Sequence, residues 1–146
     1  MSRWTTGDIP DQTGRRVVVT GATSGLGFHT ALELARHGAT VVLGVRDLDR
    51  GREAVERIGA EARGADVALS RLDLADLSSV REFAADVGRD QVDVLVNNAG
   101  VMALPPRRSV DGFELQLATN HLGPFALTGL LLQALLRKPG SRVVTV

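Results

Sequence analysis

Thr20-Gly21-Ala22-Thr23-Ser24-Gly25-Leu26-Gly27 is the stretch on which the fold turns. It follows the β-branched run Arg16-Val17-Val18-Val19 and opens into Phe28-His29-Thr30-Ala31-Leu32-Glu33-Leu34-Ala35, whose apolar spacing is helical. The glycines spell GxxxGxG. A GxGxxG turn would need glycine where Thr23 stands, and a phosphate P-loop would need a lysine that is absent nearby. Gly21 permits a sharp exit from the strand, because glycine alone takes positive φ without penalty. Gly25 and Gly27 carry no Cβ, so a diphosphate and a neighbouring strand can both approach the helix start around Leu26. There the unpaired N–H groups and the positive end of the helix dipole face an anion. Thr23 and Ser24 add hydroxyl donors with little bulk. The plainer alternative is a glycine turn that only packs helix against strand.

Outward from this octet the chain alternates strand and helix. Strands are expected at Arg16–Thr20, Thr40–Val45, Val67–Leu72, Val92–Val96 and Arg142–Val146. Helices are expected over Ser24–His37, with Leu26, Ala31, Leu34 and Ala35 inward, and over Leu48–Ala62 behind an Asp47 N-cap. A third spans Ser78–Gly88, and a long one Gly112–Arg137, which Gly123-Pro124 should kink or split. Gly38 suits a left-handed C-terminal cap. The loop Val101–Asp111, with two prolines and two arginines, reads as exposed and mobile. This is an α/β pattern: a Rossmann-type, doubly wound parallel sheet, incomplete at five strands, in the order 3-2-1-4-5. Residues 1–14 form an N-terminal extension and 15–146 one dinucleotide-binding domain.

Composition excludes several classes. The 146 residues are 44% hydrophobic and 23% charged, an ordinary globular balance. Basic and acidic residues number 17 each, so overall charge marks no nucleic-acid or anionic-lipid partner. There is no cysteine, hence no disulfide or thiolate chemistry, which suits a cytoplasmic location. Leu127–Leu136, interrupted by Gln133, is too short to span a bilayer, and the N-terminus has no signal-peptide core. His29, His37 and His121 share no metal-ligand spacing, so no metal is expected.

The octet resembles the TGxxxGxG motif of the short-chain dehydrogenase/reductase family. Asn97-Asn98-Ala99-Gly100 resembles that family's NNAG motif, Asp73-Leu74 its adenine-site pair, and Asn120 its helix asparagine. The resemblance covers nearly all of the chain after residue 14. Val42-Leu43-Gly44-Val45-Arg46-Asp47 and Asn120-His121-Leu122-Gly123-Pro124-Phe125 are most similar to the retinol-dehydrogenase-like branch. It implies hydride transfer between a nicotinamide cofactor and an alcohol or carbonyl substrate, often by a homo-oligomer.

In Rossmann sites that prefer NAD, a carboxylate after the second strand bonds the ribose. Here Arg46 stands next to Val45, and a guanidinium suits the extra phosphate of NADP. NADP(H) is therefore the expected cofactor, with NAD(H) the alternative. Asp47 lies close enough to dilute the effect, and Arg46 reads otherwise as a solvated helix-start residue. By resemblance, Asp73 and the Leu74 backbone meet adenine; Asp73 could equally cap the next helix. Asn98, Ala99 and Gly100 are small where bulk would meet the cofactor ribose. Asn120 reads either as an internal packing bridge or, by resemblance, as the anchor of a catalytic relay water.

The family's chemistry uses a tyrosine, a lysine four residues on, and a serine. The chain has no tyrosine, and its one lysine, Lys138, sits elsewhere. A tyrosine acid must be pulled down from about pKa 10 by a nearby cation. The resemblance places the serine just past Val146. The expectation is the cofactor-binding part of a reductase, inactive alone, with an uncovered fifth strand and a tendency to associate. Competing readings are a non-enzymatic nucleotide-binding module and a sugar-nucleotide epimerase, whose GxxGxxG turn differs. Substrate identity is not encoded in these residues.

Overall fold

The computed structural model describes residues 4–146. Five parallel strands form one sheet in the order β3-β2-β1-β4-β5. They are β1 (Arg16–Thr20), β2 (Thr40–Val45), β3 (Asp66–Arg71), β4 (Val94–Asn97) and β5 (Arg142–Thr145). Register pairs Val18 with Val42 on one side and with Leu95 on the other. β3 joins β2 through Val42 and Ala68, and β5 joins β4 through Leu95 and Val143.

The two-residue period of a strand sends alternate side chains to opposite faces. Val17, Val19, Val41 and Leu43 enter one core, where α1 (Gly25–Arg36) and α2 (Leu48–Glu61) deliver Phe28, Ala31, Leu32, Ala54 and Ile58. Val18, Val42 and Leu95 enter the other, beneath Phe83 of α3 (Leu77–Val87) and Leu127 and Leu131 of a later helix. Strands buried on both faces explain the near-continuous apolar runs. Local signals mark three of the helix ends. Asp47 Oδ1 accepts from the Asp49 and Arg50 amides to begin α2, and Asp76 accepts from Ser78 and Ser79 to begin α3. Gly38, at φ +95°, turns the chain out of α1.

Beyond one-residue shifts at the ends of α1, α2, α3, β3 and β5, three features differ from expectation. β4 begins at Val94 and extends to Asn97, because Val92 gives its amide to Ala134 rather than to the ladder. Leu26 is 61% exposed, so the inward face of α1 runs through Gly27, Phe28, Ala31, Leu32 and Ala35. The long helix begins later than Gly112. Ser109 N–H bonds Phe113 O (2.8 Å) and Ser109 Oγ accepts from Phe113 N–H (3.2 Å), so residues 109–113 close a turn instead. Behind it come α4 (Leu115–Leu117), a π turn (Ala118–Leu122) and α5 (Gly123–Leu136). Pro124 has no N–H to return to Asn120 four residues back, and the helix widens: the Gly123 amide reaches Ala118 O, five residues back.

The loop from Val101 to Asp111 is exposed apart from half-buried Val101 and buried Ser109, and it is bonded at several points. Asp111 Oδ2 accepts from the Leu77 amide (2.9 Å), and Leu115 N–H bonds Arg107 O (3.0 Å). The far side of α5 and β5 leaves Leu130, Leu132, Leu136, Val143 and Val144 exposed.

Asp76 and Glu114 are the N-caps of α3 and α4. The Ser78 hydroxyl and then the Ser79 amide hold the Asp76 carboxyl below its usual range; the Gln116 and Leu117 amides do the same for Glu114. A depressed carboxylate contributes stability that is full above its unfolded pKa, near 4, and is lost as pH falls through the lower folded value. Urea midpoints are therefore expected to fall as pH drops below about 4.5, and less steeply in Glu114→Gln. Identical slopes for the two proteins would refute the assignment of Glu114.

Candidate functional site

The C-terminal ends of β1, β2, β3 and β4 open into one cleft of about 300 Å³. Its floor is the glycine turn. Gly21 has φ +67°, Ser24 is extended, and Gly25 has φ +57° at the first turn of α1. The Ser24 side chain makes no cap bond to the helix, so the leading amides of α1 keep their donors free of it.

The three glycines do different work. A Cβ on Gly21 would stand 2.8 Å from Ala99 Cα. One on Gly27 would overlap the Asn98 side-chain amide and lie 2.6 Å from Gly21 O. These two let the helix, the turn and the end of β4 close on one another. A Cβ on Gly25 would meet nothing within 4 Å. Gly21, Thr23 and Ser24 line the cleft; Gly25, Leu26 and Gly27 do not appear on its wall.

Thr20 and Asn98 lock the first motif to the second. Thr20, fully buried, accepts at Oγ1 from the Asn98 and Ala99 amides, each at 3.0 Å. Asn98 Nδ2 returns bonds to Thr20 O (3.0 Å) and Gly21 O (3.2 Å). Asn98, Ala99 and Gly100 thus form a small-residue wall held rigidly against the turn, and all three line the cleft.

At the end of β2 the cleft wall carries Arg46, Asp47 and Arg50. Asp47 is engaged as the α2 cap, which limits its claim on Arg46. Among the described residues no ion pair involves Arg46 or Arg50, and no side-chain hydrogen bond of theirs is present. Arg46 and Arg50 outnumber the Asp47 carboxylate here, which leaves this end of the cleft with a net positive charge. Beyond β3, Asp73 and Leu74 complete the wall. Asp73 does not cap α3, since Asp76 does. Its backbone N–H bonds Ser79 Oγ (3.0 Å), and its Oδ1 accepts from Ala75 (2.9 Å).

Asn120 lies in the π turn and is exposed, not a buried packing bridge. Its side chain nevertheless bridges: Oδ1 accepts from the Val101 amide (2.8 Å), and Nδ2 donates to Val101 O (2.7 Å). That pair fixes the chain immediately after Gly100. Asn120 itself borders a second, largely apolar groove with Asn97, Phe125, Leu132, Val143 and Thr145, while its neighbour Thr119 reaches the cleft. His121 stacks on Phe125, and His37 Nδ1 meets Glu33 O, so both are engaged locally.

Sequence reasoning missed Thr20, Arg50 and Thr119 as site residues. Arg50 was findable: four residues after Arg46, with Asp47 between as a helix cap, it returns to the same side after one turn. Thr20 gave no signal beyond its place in the motif, because its partners lie 78 and 79 residues away.

The family model of short chain dehydrogenases matches residues 15–146. Human retinol dehydrogenase 13 is 46% identical over 135 residues, which is 91% of this chain and 41% of the relative. The chain therefore spans about two fifths of the length of the curated relatives it matches. An uncharacterized protein from Mycobacterium paratuberculosis aligns with TM-score 0.83 at 53% identity, covering 91% of this chain and 47% of that one. A metagenomic short-chain oxidoreductase solved in complex with NADP aligns with TM-score 0.81 at 28% identity, over 92% and 62% of the two chains.

Proposed function

The chain belongs to the short chain dehydrogenase family, in its retinol-dehydrogenase-like part, and from that premise we propose that it binds NADP(H) for an oxidoreductase acting on an alcohol or carbonyl. The observation that carries this reading is the convergence on one cleft of an uncapped helix start and two unpaired guanidinium groups. The residues present fit the cofactor. The α1 amides, with the Thr23 and Ser24 hydroxyls, would hold the diphosphate, and the open space over Gly25 leaves room for it. Arg46 and Arg50 would take the 2′-phosphate by charge-assisted bonds. Asp73 and Leu74 would meet the adenine, and Asn98, Ala99 and Gly100 would admit the ribose. Bound there, NADP(H) supplies the hydride that the reaction transfers.

Asn120 is assigned the relay water, held at its backbone carbonyl: the side-chain amide is already committed to Val101, and Pro124 offers that carbonyl no N–H. Since the chain contains no tyrosine, its part in the reaction is binding and orientation rather than donation of the proton by that residue type. The substrate is a small molecule. Among the described residues no helix is long and apolar enough to cross a membrane.

Gly25→Ala separates this reading from a purely structural turn. Both Gly25, at φ +57°, and Gly14, at φ +76°, have free space for a Cβ, so alanine at either costs only left-handed strain of about 1–2 kcal/mol. Gly14 precedes the N-terminal end of β1, at the far end of that strand from the glycine turn. The expected result is a loss of NADPH affinity of about tenfold or more in Gly25→Ala and none in Gly14→Ala, with similar melting points. Equal affinities in the two variants would overturn the placement of the diphosphate.

A further inference from the structure

Leu74 faces the cleft on one side and rests on the start of α5 on the other. A Cβ on Gly123 would overlap Leu74 O, lie 2.9 Å from Leu74 Cβ and 3.0 Å from Leu74 C. A neighbour made of backbone cannot swing aside as a flexible side chain would. Nor is this segment free to shift as a unit. The Asp73 amide bonds Ser79 Oγ, its carboxylate accepts from Ala75, and its carbonyl accepts from Asp76 (3.1 Å). Gly123 therefore marks a seat with no spare room, reached because the π turn widens the helix just before it.

The same turn grips a second part of the cleft lining. Three residues earlier, Asn120 holds Val101 by its amide pair, and Val101 and Leu74 both line the cleft. We propose that Gly123 is a positioning residue that sets the spacing between the Leu74 wall and the Val101 wall, and through it the affinity for the adenosine part of a dinucleotide. This rests on the reading of the cleft as a dinucleotide site. A methyl group at 123 has two outlets, pushing Leu74 and Asp73 into the cleft or driving the π turn, with Asn120 and Val101, away from it. Either changes the width. Interiors packed at crystal density transmit such a displacement rather than absorb it.

The test compares Gly123→Ala with Gly129→Ala, a change in the same helix whose Cβ would meet nothing within 4 Å. NADPH and adenosine 2′,5′-bisphosphate are titrated into each protein well below its own unfolding midpoint, so that loss of folded material cannot mimic loss of affinity. The expected result is about tenfold weaker binding of both ligands to Gly123→Ala and unchanged binding to Gly129→Ala. Should Gly123→Ala not fold, hydrogen exchange on the unmodified chain decides. NADPH should then slow exchange at the Gly123 amide together with Ala75 and Val101. Wild-type affinity in folded Gly123→Ala, or a Gly123 amide indifferent to NADPH while Ala75 responds, overturns the inference. If the unmodified chain binds neither ligand, it is the dinucleotide reading itself that fails.

Discussion

Replacing Thr20 with valine is expected to lower the stability of the chain by about 3 kcal/mol, although valine matches threonine in shape. The hydroxyl is fully buried and accepts from two backbone amides, Asn98 and Ala99, each at 3.0 Å. Thr20 has no surface exposed to solvent. Each buried N–H left without an acceptor costs roughly 1–3 kcal/mol, and the whole stability of a domain is only about 5–15 kcal/mol. The effect on binding follows from the same bonds. With them gone, the side-chain hydrogen bonds left between the Asn98–Gly100 wall and the glycine turn are the two of Asn98 Nδ2. Thr20→Ser keeps the oxygen and loses one methyl, so it should fall within about 1.5 kcal/mol of the parent. Guanidinium midpoints of the three proteins check this ordering. Equal midpoints for valine and threonine would show that the two amides find other acceptors.

The second large effect is on cofactor choice. Arg46→Ala together with Arg50→Ala is expected to weaken NADPH binding by roughly a hundredfold and leave NADH binding within about threefold. A hydrogen bond to a charged group contributes about 1.5–3 kcal/mol, one to two decades of affinity, and NADH lacks the phosphate that both groups would meet. Each single variant should show part of the loss. The two effects need not add, because both guanidinium groups serve one phosphate. Raising salt should reduce the NADPH advantage of the parent chain and have little effect on the double variant. Parallel losses for NADPH and NADH would mean that the arginines shape the cleft in general rather than read the phosphate.

The fold was legible because its signals are local and repeat. β-Branched runs alternate with helical spacing, Asp47 announces α2, Gly38 ends α1, and the glycine octet ties the first strand to the first helix. Parallel order then follows from the handedness of crossovers. The long helix was misread at its start because Ser109, Gly112 and Phe113 satisfy one another in a turn, a choice visible only once Asp111 is seen anchored on Leu77. Leu26 was placed inward on periodicity alone, yet it falls where α1 has just begun and nothing covers it.

Around the cleft, the positions legible by residue type are the glycines, of which Gly21 and Gly27 leave no room for a Cβ, and Arg46, which brings its charge to the wall. Residues whose role depends on distant partners were not legible. Thr20 meets the chain 78 residues on, and Gly123 meets Leu74 across the second core. Asn120 is intermediate. Its residue type promised a hydrogen-bonding duty, but that the duty is to clamp Val101 from an exposed π turn could not be read from spacing.

The proposed site seats a diphosphate at the opening turn of α1, with its adenosine end toward Arg46 and Arg50. Calorimetric titration of the folded 146-residue chain with NADPH and, separately, NADH tests this most directly. The predicted result is one site per chain, with NADPH bound about ten- to a hundredfold more tightly. No heat with either coenzyme on folded protein, or equal affinity for the two, would contradict it.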